Sequence, residues 1–289
     1  MQKENTQDPL TIQNGKIRAS FLRKGAELCS LRQIDGPELI WQADPKYWGR
    51  HASLLFPIVG ALKNNCYTIG GQSYSLPQHG FARNENFSLE NCDKSSVLFR
   101  LTENKQTLEN FPCRFILDIS FRLDGSKLIC GWHVSNPIES SRELIFSIGG
   151  HPAFNCPPNG SGQSGYSIGF EGASVVRSIK NNKDIILNDS RLPVTASLFD
   201  DGALVFEAPN FDAVTLNYPN GQAFVRLSHP GFPALALWNP PGGAPFVCIE
   251  PWFRSTASDA DDLSLENRKN IIRLQSGEIF KAEYTIEVL

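Results

Sequence analysis

The chain has 289 residues, 41% hydrophobic and 20% charged, and carries a formal net charge of −3. Binding a phosphate backbone needs a concentrated basic face, so nucleic acid is excluded as a main partner, whereas a few local arginines would suffice for a small anionic ligand. No run approaches the roughly 18 apolar residues of a membrane-spanning helix, and the polar start "MQKENTQDPLTIQNG" lacks the apolar centre of a secretory leader, so a cytoplasmic protein with no membrane partner is expected.

Period two dominates the elements in chain order. Strands are predicted at "KIRASFL" and "SVLFRLT", and "NKQTLENF" reads as a short helical turn between strands. In "RFILDISFRL", Phe115, Leu117, Ile119, Phe121 and Leu123 alternate with polar residues, which is the mark of a half-buried strand. An Asp-Gly turn follows, and then "LICGWHV" alternates through Leu128, Cys130, Trp132 and Val134, giving an antiparallel hairpin. "ELIFSIG" reads as one strand and "ALVFEA" as another. "DAVTLNY" and "QAFVRLS" form a second hairpin about "PNG", and "ALALW", "FVCIE", "IIRLQ" and "IFKAEYTIEV" complete the series. "SDADDLSLENRKN" opens with a capping residue and acids, so one or two helical turns are expected there. Strands joined by short turns and few helices define an all-β, antiparallel sandwich or barrel. The loop-rich stretches Asn155–Gly165 and Asn239–Pro245 are turn chemistry inside one domain spanning residues 1–289.

Seven cysteines are scattered without a CxxC, so neither a disulfide framework nor a zinc site is signalled. Thiols beside apolar runs act as small hydrophobes. None of the five histidines makes HxH or HExxH spacing, and no GxSxG, P-loop or GxGxxG occurs. No metal and no cofactor are therefore expected. In "SIGGHPAFNCP", two glycines and a proline surround His151, which reads as a histidine presented from a rigid turn at a strand end. In "FVCIEPWFR", Phe246, Cys248 and Glu250 share one strand face. A carboxylate in that company is partly buried and acquires a raised pKa, which suits a general base; a structural ion pair with Arg254 is the blander reading. In "SLPQHGFAR", His79 sits at a strand end or turn. Phe81 offers an apolar ring for a sugar face, and Arg83 a forked donor for hydroxyls or a phosphate. Trp48, Arg50 and His51 precede the apolar run "LLFPIVG" and are candidates for the same pocket. His133 falls on a solvent face, and His229 ranks behind His151.

Together, "LLFPIVG", "YSLPQHGFARNENF", "GGHPAFNCP", "FVCIEPW" and "LQSGEIFKAEYTIEV" resemble the aldose 1-epimerase (galactose mutarotase-like) superfamily, in its LacX-like branch, over nearly the whole chain. The resemblance implies a β-supersandwich of two large antiparallel sheets with a carbohydrate cleft. It also implies that His79 positions the sugar, His151 is the general acid and Glu250 the general base, held on opposite sides of the hemiacetal, with no cofactor or metal required. Galactose mutarotases carry a sugar-binding arginine where this chain reads "GALKNNCY", so Lys63, Asn64 or Asn65 stands in its place. Their sugar-binding aspartate has no clear match, and Trp238 and Asn239 are candidates to line the cleft instead. The expected partner is a small sugar or sugar phosphate, and monomer and dimer both stay open. The expected activity is aldose 1-epimerisation of a hexose. The alternatives are a hexose-6-phosphate 1-epimerase, with Arg50, Arg83 and Lys63 clamping phosphate, and a non-catalytic carbohydrate-binding or sensor protein.

Overall fold

The alternating apolar pattern builds two large antiparallel sheets packed face to face. The computed structural model describes residues 9–158, 163–179, 183–254, 263–268 and 271–289. The larger sheet has nine strands. Its centre is the predicted hairpin, Ile116–Asp124 with Lys127–Ser135, flanked by Ile279–Val288 on one side and Ser96–Thr102 on the other. Leu117, Ile119, Phe121, Leu123, Leu128, Cys130, Trp132 and Val134 are all buried, as their alternation requires. His133 points to solvent. The second hairpin, Ala213–Asn217 with Ala223–Ser228, joins the same sheet through Ile279–Val288. Burying each large aliphatic or aromatic side chain contributes roughly 1.5–3 kcal/mol, so this apolar layer dominates the stability of the fold.

The smaller sheet has five strands in the order Leu204–Glu207, Ala234–Trp238, Phe246–Phe253, Ile148–Asn155 and Ala52–Leu55, each antiparallel to its neighbour. Its three interior strands are buried on both faces. Leu54, Ile148, Phe154, Leu235, Leu237, Val247 and Ile249 face the core between the sheets. The opposite face carries Ser53, Gly149, His151, Ala153, Ala234, Ala236, Cys248, Glu250 and Trp252, all buried. Small residues predominate there, which leaves a concavity over the sheet.

Three expectations are corrected. "ELIFSIG" is two strands, because Ser147 breaks it. Its N–H donates to Pro57 O and its Oγ accepts the Val59 N–H, so Leu144–Phe146 pairs with Ile272–Leu274 while Ile148–Asn155 enters the five-stranded sheet. Residues 263–268 of the second expected helix are not helical. Their backbone pairs with Thr68 through Leu263 and Leu265, and the remaining residues of 258–270 lie outside those described. Lastly, "GGHPAF" is not a strand end: Gly149, Gly150 and His151 are interior to Ile148–Asn155. The glycines there provide room rather than a turn. A Cβ on Gly149 would lie 2.5 Å from Trp252 Cδ1, and one on Gly150 would lie 3.2 Å from Tyr284 Oη. The short helix Lys105–Asn110 does form, capped by Asn104, whose side chain accepts the Thr107 N–H.

Gly149→Ala is expected to cost about 1–3 kcal/mol of stability, because a buried indole cannot yield like a flexible chain end. Urea unfolding monitored by tryptophan fluorescence measures it, and a midpoint equal to that of the unsubstituted protein would contradict this account.

Candidate active site

His151 and Glu250 meet because of register. Gly149 pairs with Trp252 and Ala153 with Cys248, so His151 comes opposite Glu250 on the neighbouring strand. The same register sets Pro152 opposite Ile249 and Pro251 opposite Gly150. Neither proline has an N–H to donate, and the ladder opens around the pair. His151 Nε2 lies 3.3 Å from Glu250 Oε2, with both side chains buried. The two groups are thus side by side on one sheet, not on opposite sides of the space above it.

Burial sets their electrostatics. Desolvation pushes the Glu250 carboxyl well above the usual carboxylate range. The Trp252 indole, whose N–H makes no regular hydrogen bond, pulls weakly the other way. Desolvation, reinforced by His79 and then by Arg83 and Arg50, pushes His151 down to about 3. Both groups favour their uncharged forms, as buried ionisable groups without a full set of hydrogen bonds must. Trp48 stacks on the imidazole of His151 at 4.7 Å, and Trp238 meets it edge-on at 5.6 Å.

His151 and Glu250 form part of the lining of a cavity of about 830 Å³. Trp48, Gly60, Gln78, His79 and Arg83 line it too, as do Trp238, Trp252 and Arg254. The cavity's far wall is Ile179, Ala203, Val205 and Glu207. His79 is fixed reciprocally: its N–H donates to Gly60 O at 2.8 Å, and the Gly60 N–H donates to His79 Nδ1 at 3.0 Å. Nδ1 is therefore the acceptor, and the ring proton sits on Nε2. Burial, with Arg83, Arg254 and Arg50 nearby, pushes His79 down to about 3 and keeps it neutral. Its backbone adopts φ +67, a left-handed conformation costly for a non-glycine residue and frequent at functional sites. Gly60 suits the position beside it because its φ of +85 is a conformation other residues rarely adopt, and the space a Cβ would take is occupied by the Arg254 guanidinium. Arg83 reaches the cleft by donating from Nη2 to Gln78 O at 2.6 Å; burial and the neighbouring Arg50 lower it to about 10.

Several sequence expectations move. Phe81 packs into the core against Phe56, Phe111 and Phe115 instead of offering its ring to the cleft. Arg50 stands behind the wall, donating to Asn84 Oδ1, and does not line the cavity. Lys63 and Asn65 lie on an exposed 3-10 turn away from the cavity lining. Asn239 is a loop clamp, accepting the Ala244 N–H and donating to Ala244 O. His51 contacts Glu27, not the cavity. Glu27 went unread in the sequence. Burial works against its charge, yet the His51 imidazole 3.9 Å away and donation from the His51 and Ala52 backbone N–H groups hold its carboxyl below the ordinary value. It thereby pins the Ala52–Leu55 strand beside His151. Trp252 and Arg254 were legible as the next residues on the Glu250 face, whereas Gln78, Val205 and Glu207 carried no sequence signal. One ligand-type grouping occurs among the described residues: single atoms of His151, Cys248 and Glu250 lie within 4.8 Å of one another.

The chain belongs to the aldose 1-epimerase family, whose sequence profile matches residues 8–287. It is 30% identical to the plasmid-encoded Protein LacX of Lactococcus lactis subsp. lactis, over 97% of this chain and 99% of that one. Among solved structures it is similar to a galactose mutarotase related enzyme from Lactobacillus acidophilus, with 32% identity and a TM-score of 0.87 over 98% of this chain and 97% of that one. A galactose mutarotase-like protein from Lactobacillus casei superposes equally well, with 28% identity and a TM-score of 0.87 over 98% and 100% of the two chains. The two-sheet fold is that of these mutarotase-like proteins.

His229 lies outside the cavity, buried against Phe211 and Phe232 with neither ring nitrogen hydrogen-bonded. Burial lowers it to about 4, against a partial opposing pull from its own backbone and from Asp212. The unfolded chain, with an ordinary histidine near 6.5, binds the extra proton first. Stability is therefore full above about pH 6.5 and falls as the pH drops toward 4. His229→Gln should flatten the dependence of the melting temperature on pH in that window, and an unchanged slope would refute the assignment.

Proposed function

We propose that the protein interconverts the α and β anomers of a hexose, with His151 and Glu250 as the acid–base couple. The observation that carries this reading is their 3.3 Å buried contact on the wall of a cavity roomy enough for a hexose. In their favoured forms, a protonated carboxyl and a neutral imidazole, the two groups hold one transferable proton between them. Its shift across the contact gives carboxylate and imidazolium at the same total charge. Opening a hemiacetal takes a proton from O1 and gives one to the ring oxygen, so the couple's proton count is unchanged. As the carboxylate accepts the O1 proton, the C1–O1 bond becomes a carbonyl. The C1–O5 electrons return to O5, which takes the imidazolium proton. Rotation about C1–C2 and closure on the opposite face reverse the duties of the two groups. The neutral His79 holds its Nε2–H 3.2 Å from the Gln78 amide, so the two side chains together form the polar contact for a sugar oxygen, and the Trp48 and Trp238 rings suit the apolar C–H faces of a pyranose.

Polarimetry on fresh α-glucose and α-galactose tests the reading. Glu250→Gln should lower kcat at least about a hundredfold, the scale of a lost general base, while leaving sugar binding largely intact. A variant within a few-fold of the unsubstituted rate would remove Glu250 from the mechanism. Sugar binding without any acceleration in the unsubstituted protein would instead favour a non-catalytic sugar-binding role.

A second reading, a hexose 6-phosphate as substrate, draws support from the two arginines on the cavity wall, Arg83 and Arg254. Arg50 and Lys63, expected to share this task, do not line the cavity, and Arg254 takes their place. Arg83→Ala should raise KM for a hexose 6-phosphate at least about tenfold more than for the neutral hexose, since a charge-assisted contact contributes about 1.5–3 kcal/mol. Equal effects on the two substrates would exclude phosphate recognition by this residue.

A further inference from the structure

We infer that His151, Cys248 and Glu250 form a binding site for a thiophilic divalent cation of the Zn²⁺ type, in which Cys248 supplies a ligand that the anomer-interconversion chemistry does not use. Cys248 does not line the cavity; it is fully buried in the sheet two residues before Glu250, beneath Trp48 and Trp238. Its Sγ, one imidazole nitrogen of His151 and one carboxylate oxygen of Glu250 lie within 4.8 Å of one another. Tetrahedral Zn²⁺ with bonds of about 2.0 Å holds its nitrogen and oxygen ligands about 3.3 Å apart. His151 Nε2 and Glu250 Oε2 already stand at 3.3 Å. A zinc–thiolate bond is about 2.3 Å, and the thiol already stands within 4.8 Å of the other two ligand atoms. The same Glu250 Oε2 is buried with no hydrogen-bond partner in the protein, which leaves its lone pairs for an ion.

Sulfur, imidazole and carboxylate together select a borderline-soft ion over a hard one. Zn²⁺ and Cd²⁺ fit this donor set, whereas Mg²⁺, which prefers six oxygens, does not. Three protein ligands leave the fourth tetrahedral position open. An ion seated here occupies the line along which His151 and Glu250 face each other, so its role is inhibitory.

The readouts are binding and absorbance, which keeps the test separate from the sugar reaction. Calorimetric titration with ZnCl₂ should give one saturable site per chain, and MgCl₂ none. Cd²⁺ should produce a thiolate charge-transfer band in the ultraviolet at the same stoichiometry. Cys248→Ser, checked for an unchanged melting temperature, should abolish the band and weaken Zn²⁺ at least about tenfold, and His151→Gln should weaken Zn²⁺ similarly while retaining the fold. Cys92 is an exposed thiol, so Cys92→Ser serves as the control and should leave both signals intact. The inference is overturned by the absence of saturable Zn²⁺ binding, by Zn²⁺ affinity unchanged in both Cys248→Ser and His151→Gln, or by a Cd²⁺ band lost in Cys92→Ser.

Discussion

A five-stranded sheet whose interior strands are buried on both faces is the constraint from which the rest follows. A strand offers alternate residues to its two sides, and in these interior strands both sides are buried. The core-facing set is conventional, large and apolar. The other set mixes glycine and alanine with a histidine, a thiol and a carboxylate. Isolated buried charges are prohibitively expensive, so His151 and Glu250 persist in this layer as a contacting couple that favours uncharged forms. Small neighbours make the arrangement sterically feasible. Ala236 is the ladder partner of Glu250, and Gly149 lies beneath the Trp252 ring.

The loop wall obeys a different rule, mutual fixing of backbone and side chain. Gly60 and His79 exchange two hydrogen bonds, and Gly60 also makes way for Arg254. That corner therefore fixes a neutral donor beside two guanidinium groups without ionising it. Glu27 does the complementary task from outside, spending its carboxylate on backbone N–H groups where the strand beside His151 begins.

Much of the fold was legible because alternation is a local signal. The hairpin about the Asp-Gly turn, the solvent-facing His133 and the shared face of Phe246, Cys248 and Glu250 follow from period two alone. His151 was misplaced at a strand end for a physical reason: proline in a central strand is normally disqualifying, and here Pro152 and Pro251 both fall where the ladder between the two strands lapses, a pairing that local reading does not reveal. Phe81 was read as a surface ring because the apolar residues that enclose it, Phe56, Phe111 and Phe115, are distant in sequence. Arg50 and Lys63 looked like cleft cations, but a charge near a motif says nothing of the direction in which its side chain leaves the backbone. The grouping of His151, Cys248 and Glu250 carries no spacing signal in the sequence, because residues drawn from two paired strands need no local motif.

The cavity's far wall comes from the margin of the sheet. Val205 and Glu207 belong to its terminal strand, Leu204–Glu207, and are only partly buried or exposed, whereas His151 and Glu250 occupy adjoining interior strands. Exchange of a side chain at such a border disturbs few neighbours, while exchange at the centre disturbs many. The molecule thus separates a permissive rim from a tightly constrained middle, so the choice of ligand can be adjusted without touching the groups that would move its protons.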